Sequence, residues 1–452
     1  MKNRIWIPLL VVVTLLGIGT SQYPKLYIAT GYAAKCMASG IFVAGREPEM
    51  VKANDLDYSI VKFTSNVINY NEKSVTSSLF GLSKQKAIYR EGLGCCLIDE
   101  STPLKLIPDY SLPKTFTAHS WRNPWPDGDR MSDTIFPEID TTSLKNAVEV
   151  AFDEPGEKVK RTAAVVVAYK GKLVAEAYWK EQAITPDTKL WGWSMNKSMV
   201  NAMIGILVKQ GKISISAFAP VEEWLNDRRR EITVNDLMHM SSGLKWNEDY
   251  SDVSDATTML YRDRNCYKSA INAPFEKKPN TEWKYSSGTA NILSGIIRNT
   301  LNNDQQYFEF PYKELFNKLG MYSMVLETDA HNYFVSSSYG YASARDWAKF
   351  GQLYLQDGVW KGDTILPKDW VTYTRTPADV ANGQYGAQFW LNRSKKLPDV
   401  PEDMFSCQGH RGQRIFIIPS RQLVIVRLGF EGNHFDFNQF LAGILKAIGS
   451  SK

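Results

Sequence analysis

The stretch Trp191–Met203, WGWSMNKSMVNAM, sets Ser194 three residues ahead of Lys197 at the start of an apolar, helix-forming run. On a helix, side chains three apart share a face, so the lysine amine can reach the serine hydroxyl. An ordinary lysine, with a pKa of about 10.4, is a poor base at neutral pH. One desolvated in a pocket gives up its proton more readily and can accept the serine's. The free N–H groups of a helix start would receive negative charge developing on an acyl oxygen. Trp191, Trp193 and Met195 supply dry surroundings. The competing reading is a capped amphipathic helix whose Ile204, Ile206, Leu207 and Val208 simply face a core. Spacing does not decide, because Ser-x-x-Lys recurs at Ser59/Lys62, Ser83/Lys86, Ser111/Lys114 and Ser242/Lys245.

The flanks therefore carry the argument. Before the motif, Asp140, Thr141 and Thr142 can cap a helix running to about Phe152, with Leu144, Val148 and Ala151 on one face. Thr162–Tyr169 (TAAVVVAY) then has the continuous apolar character of a buried strand, Lys170-Gly171 that of a turn, and Lys172–Trp179 that of a second strand. After it, Thr233–Met240 suits a helix that stops at Ser241-Ser242-Gly243. Tyr285-Ser286-Ser287 precedes an apolar helix Ala290–Thr300, and Ser343 can cap Ala344–Leu355. Arg414–Ile418 and Gln422–Leu428 form a hairpin around Pro419-Ser420-Arg421, followed by a final amphipathic helix from about Phe435 to Ile448. Strands at both ends with helices between imply an antiparallel sheet closed by the first and last helices, with a helical region inserted in the middle.

At 452 residues the chain exceeds one ordinary core, so a large domain plus an extra segment is expected. The net charge of +5 comes from 53 basic and 48 acidic residues interspersed along the chain, which excludes a nucleic-acid footprint. Lys2 and Arg4 precede the apolar run Ile5–Gly19, the order of an export signal, and the weak cleavage site after it favours an uncleaved anchor that holds the chain on the far side of a membrane. Five cysteines leave one unpaired, and in an exported chain a bridge from Cys36 to Cys95 or Cys96 is expected. The cysteine and histidine spacings match no metal site. Residues 25 to 100 hold β-prone pieces such as Tyr58–Phe63 and Lys86–Tyr89, and Ser101–Pro137 is a Pro-rich connector. The divisions that follow are a signal segment 1–24, an N-terminal extension and connector 25–137, and a catalytic domain 138–452.

Two other signatures fail. Gly192-x-Ser194-x-Asn196 lacks the second glycine of a nucleophile elbow. Glu222-x-x-Leu225-Asn226 follows the serine too soon for a deacylation loop and leads straight into the helix at Thr233.

Five blocks in sequence decide the matter: SMNK at Ser194–Lys197, LMHMSSGLKW at Leu237–Trp246, KPNTEWKYSSG at Lys278–Gly288, YGYASARDWAKFGQLYL at Tyr339–Leu355 and QGHRGQRIFIIP at Gln408–Pro419. Their order resembles that of serine hydrolases of the class C β-lactamase and penicillin-binding protein superfamily. The closest likeness is to nylon-oligomer (6-aminohexanoate-dimer) hydrolases and related esterases. The resemblance runs from about Asp140 to the C-terminus and implies an α/β (α+β) β-lactamase/transpeptidase-like fold. Carried over, Ser194 resembles the acylated nucleophile, Lys197 its base, and Tyr285 the group that relays a proton to the leaving group. Ser287 stands where many relatives have asparagine. His410-Arg411-Gly412 replaces the Lys-Thr-Gly of β-lactamases, so the Gln413 backbone N–H, with that of Ser194, is the expected oxyanion hole, and Gly412 belongs to the substrate strand. His410 is a weaker, pH-dependent cation than lysine, which favours ester or amide substrates over β-lactams. Trp193, Trp246, Trp283 and Trp390 are candidate pocket walls, and His239 a structural residue. The resemblance implies a small ester or amide substrate and no metal or cofactor. The rivals are a β-lactamase or D,D-peptidase-type enzyme and a non-catalytic membrane-anchored sensor of acyl compounds or peptides.

Overall fold

The structure, a computed structural model, describes residues 3–99, 102, 123–128, 130–154 and 156–449, with the backbone alone for residues 3–22. Every side chain of the strand Thr162–Tyr169 is buried, which its unbroken apolar run requires. It forms the hairpin with Lys172–Tyr178 and lies inside a six-stranded antiparallel sheet. The order across the sheet is Trp390–Leu391, Phe405–Gly409, Gln413–Ile418, Leu423–Gly429, Thr162–Tyr169, Lys172–Tyr178. Leu423 pairs with Tyr169 and Val426 with Val166, so the end of the chain zips onto the start of the domain.

The sheet's two faces follow the two-residue alternation of strands. Val165, Val167 and Tyr169 pack with Phe416 and Ile425 beneath the helices Thr141–Glu149 and Phe437–Ala447. Ala164, Val166 and Ala168 face the other way, toward Ala344–Leu355. That helix seats on the strands through Gly351, where an added Cβ would lie 2.6 Å from Val424 and 2.7 Å from Ile415. The expected caps at Asp140, which accepts from Ser143 N, and at Ser343 are made; Thr233 with Asp236 forms a capping box and Ser286 caps its helix as well. The inserted helical region is centred on Asn196–Lys209, buried on all sides from Asn196 to Leu207.

In the first hundred residues the expected strand at Lys86–Tyr89 is present within Leu82–Arg90, and the one at Tyr58–Phe63 is not. The chain begins with one helix, Asn3–Phe42, followed by an antiparallel meander of Thr64–Asn69, Ser74–Leu79, Leu82–Arg90 and Gly94–Ile98. Tyr58–Phe63 is not a strand: Ser59, at φ 46, breaks the extended backbone and Ser59–Phe63 forms a 3-10 turn. From Ala29 onward the helix enters the main hydrophobic core rather than a separate one. Its Lys35 forms an ion pair with Glu327 at 2.5 Å, both side chains fully buried. Ser39 Oγ and the Cys95 N–H also donate to Glu327, at 2.9 and 2.7 Å. The segment is thus continuous with the domain it precedes.

All five cysteines are free and buried. The expected Cys36–Cys95/96 bridge is absent because Cys95 meets the helix face that carries Lys35 and Ser39, whereas Cys36 faces Tyr32 and Asp55. Burial pushes each thiol up, Cys407 to about 12. Among the described residues no helix is long and apolar enough to cross a membrane. The expected anchor rests on Lys2, outside the described residues, and on side chains within residues 3–22, likewise outside them. Most of the Pro-rich connector also lies outside. Where it is described, Trp125 is buried and its Nε1 donates to the Arg345 carbonyl at 3.3 Å.

Candidate active site

Ser194 sits in a single 3-10 turn, Trp193–Met195, that feeds directly into the helix Asn196–Lys209. Trp193 holds φ 50, a left-handed conformation that costs a bulky residue on the order of 1–3 kcal/mol. The Asn196 side chain donates to Trp193 O at 2.7 Å, and Trp193 stacks on Trp191 with centroids 3.7 Å apart, so the turn is fixed from both sides. Strand Phe405–Gly409 lies against it, and an added Cβ on Gly409 would come within 2.3 Å of Gly192 O.

One helical turn on, Lys197 is buried. Its Nζ donates to Ser194 Oγ at 2.9 Å, to Ser287 Oγ at 3.0 Å and to the Ser337 carbonyl at 3.2 Å. No carboxylate touches it. Burial pushes its ammonium down to about 8, with the nearby charge of Glu248 pulling the other way. Tyr285 presents its ring 4.8 Å from the lysine nitrogen and its hydroxyl in hydrogen-bond contact with Ser194. Burial and Glu248 raise the phenol above its ordinary range, which keeps it protonated. Three residues singled out in the sequence, Ser194, Lys197 and Tyr285, therefore converge on one point.

Ser287 is used internally. It accepts from Lys197, donates to Glu248 through its hydroxyl, and its N–H bonds Glu248 Oε2 at 2.8 Å. Glu248 is the residue that sequence reasoning missed. It also accepts from Trp246 Nε1 at 2.6 Å and from Tyr250 OH at 3.1 Å. The signal was present in WNEDY: Trp246, Glu248 and Tyr250 alternate by two, which puts all three on one face of an extended segment. Trp246 thus holds the carboxylate, with Gly288 packed beneath its ring.

The His410-Arg411-Gly412 turn is built differently from a substrate-binding lysine strand. Gly412 has φ 79, and a Cβ there would meet Arg427 Nη1 at 2.4 Å. Buried Arg427 donates to the carbonyls of Arg411 and Gly412 at 3.2 and 3.1 Å, which fixes the turn. The Gln413 side chain is engaged with Gly429, accepting from its N–H at 2.9 Å, while its backbone pairs with Gly409. His410 opens onto a cleft, but the enclosure around it and neighbouring Arg411 push its imidazole down to about 4. It is neutral at neutral pH. A second cation near the phenol, besides Lys197, is Arg414, whose Nη1 donates to the carbonyls of Gly409 and Gln413 at 2.7 and 2.8 Å. On the Tyr285 side, Trp390, Trp283 and Tyr385 form an aromatic wall, with Tyr285 5.3 Å from Trp390. His239 lies apart, bonded to Asn235, as a structural residue. Among the described residues no group of histidine, cysteine and carboxylate side chains could hold a metal ion.

A serine, a buried lysine and a half-buried tyrosine meet at the foot of a central helix, against the strand Phe405–Gly409 of an antiparallel sheet, the arrangement of a β-lactamase-like serine hydrolase fold. Residues 148–430 match the Beta-lactamase family, and the chain belongs to it. It is 22% identical over 299 residues to a 6-aminohexanoate-dimer hydrolase of Paenarthrobacter ureafaciens, covering 59% of this chain and 72% of that one. A penicillin-binding protein homologue from Caulobacter crescentus superposes with a TM-score of 0.55 at 14% identity, covering 71% of this chain and 99% of that one. A family VIII carboxylesterase superposes at 0.54 with 16% identity and the same coverage.

Proposed function

We propose that the protein hydrolyses a small ester or amide through an acyl-enzyme on Ser194. The observation that carries this is the 2.9 Å contact between Ser194 Oγ and a buried Lys197 whose ammonium is held at about 8. At neutral pH roughly a tenth of such a lysine is unprotonated, and that fraction takes the serine proton as Oγ attacks the carbonyl. Backbone N–H groups at Ser194 and at the turn that ends in Gln413 would receive the oxyanion. Tyr285, protonated and bonded to the serine, delivers a proton to the leaving group. Water then attacks the acyl-enzyme with the same groups in reverse. Glu248 acts at one remove: through Ser287 it sets the charge balance of Lys197 without neutralising it directly.

The family's hydrolases and the named carboxylesterase support this reading, as does the absence of a lysine at position 410. A second reading, a penicillin-interacting enzyme, draws on Arg414, whose guanidinium lies near Tyr285 where a substrate carboxylate could dock. Labelling by a fluorescent penicillin that disappears in Ser194→Ala would favour it. The test of the main reading is intact-mass spectrometry after exposure to a fluorophosphonate. A single adduct lost in Ser194→Ala and Lys197→Ala is expected, and an adduct that persists in Ser194→Ala would refute the assignment. Export remains part of the proposal and rests on the charge and apolar order of the first residues; identifying the N-terminal residue and compartment of the mature protein tests it.

A further inference from the structure

Residues 25–61 lie outside the family match at 148–430, yet they build one wall of a cavity of about 780 Å³ bordered by Trp193, the residue before the serine. Ile28, Tyr32, Tyr58 and Ile60 line one side, and Trp193, Tyr250, His410 and Phe430 the other. Three of these link the cavity to the reacting groups through their neighbours. Trp193 directly precedes Ser194, Tyr250 OH lies 3.3 Å from Ser287 Oγ, and His410 stacks on Tyr250 at 5.4 Å.

The extra wall is held rigidly. Tyr32 stacks on Trp193 at 6.2 Å with rings 11° apart, and meets Tyr58 and Tyr261 edge-on at 5.5 and 5.2 Å. Arg411 crosses the junction to donate to the carbonyls of Asn54 and Asp55, each at 3.0 Å, with its guanidinium 4.7 Å from the Tyr58 ring. Behind it, the buried Lys35–Glu327 pair anchors the helix.

The lining offers little to a charged ligand. Lys25 pairs with Asp252 at 3.1 Å, and Arg161 donates to the carbonyls of Ala53 and Asn54 at 2.9 and 3.2 Å. Arg411 is committed to the bonds just described. Asp249 and Glu431 are engaged with backbone N–H groups of their own loops. Asp57 borders the space as an exposed carboxylate near Arg161, and the larger part of what remains is a set of aromatic and aliphatic surfaces, around a volume usual for a drug-sized group.

We propose that this cavity is a binding site for a bulky, uncharged aromatic group, and that the N-terminal segment creates this preference. Assigning that group to the substrate rests on the hydrolase reading above; the binding itself does not. The test uses prodan, a neutral naphthyl ketone whose emission moves to the blue in apolar surroundings. The proposal expects prodan to bind wild type and Ser194→Ala alike, with about tenfold weaker binding in Ile60→Asp and in Tyr58→Ala. Ile60 and Tyr58 are 38% and 37% exposed, so both variants should fold. Ile60→Asp should also lower kcat/KM for naphthyl acetate about tenfold relative to methyl acetate. Absence of prodan binding, or equal binding in both variants, overturns the proposal, whether or not the esters are hydrolysed. If prodan behaves as expected and neither ester turns over in wild type, the cavity assignment stands and the hydrolase reading falls.

Discussion

Lys35 and Lys197 are each buried to 1% or less, and their surroundings are opposite. Lys35 is paired with the Glu327 carboxylate at 2.5 Å, shares Ser39 with it, and lies 3.9 Å from the centre of the Tyr339 ring. Lys197 has two serine hydroxyls, one carbonyl and an aromatic face, and its nearest carboxylate, Glu248, is reached only through Ser287. Burying a charge is expensive unless it is matched. The matched lysine is a clamp that ties the N-terminal helix to the family domain. The unmatched one is driven toward its neutral form, the state a base requires.

The comparison breaks most visibly at Lys197 itself. Lys197→Ala should lower turnover by about 10³-fold, the middle of the usual range for a general base, while leaving the fold intact by circular dichroism. The same class of change at the other lysine should do the reverse. Lys35→Ala leaves Glu327 buried and unpaired, and should destabilise the protein by about 3–5 kcal/mol in urea unfolding. Activity per folded molecule should hardly change.

Glu248→Gln sharpens the contrast. The carboxylate holds the Lys197 ammonium up against the effect of burial, so removing it should move the acid limb of the kcat/KM profile to lower pH. A smaller effect concerns stability. The folded lysine releases its proton near pH 8 and the unfolded one near about 10.4, so between those values the unfolded chain binds more protons and stability rises with pH. Below that window the penalty of the buried ammonium is fully present. Lys197→Met should remove this rise, as measured by denaturant midpoints across the window.

The family domain was legible because its signals are local. TAAVVVAY is apolar on both faces and sits centrally in the sheet, and Ser343, Thr233 and Asp140 mark helix starts that the structure makes. Ser194, Lys197 and Tyr285 were legible through spacing and block order. What escaped depends on contacts between distant segments. The helix beyond Tyr23 was hidden because residues 29–40 are buried on every side and so carry no helical period, and because Lys35 looks like a surface residue until Glu327 is placed beside it. Arg414 was passed over for His410, since the motif drew attention to the lysine's sequence position rather than to the next strand, whose guanidinium returns to the site.

The most direct test of the central claim is the rate of Ser194 modification by a fluorophosphonate as a function of pH, followed by intact mass. A rate that climbs through an apparent pKa of about 8, and shifts to lower pH in Glu248→Gln, is the predicted result. A rate that stays flat from about pH 6 to about pH 10 in folded wild type would contradict a lysine base at this serine.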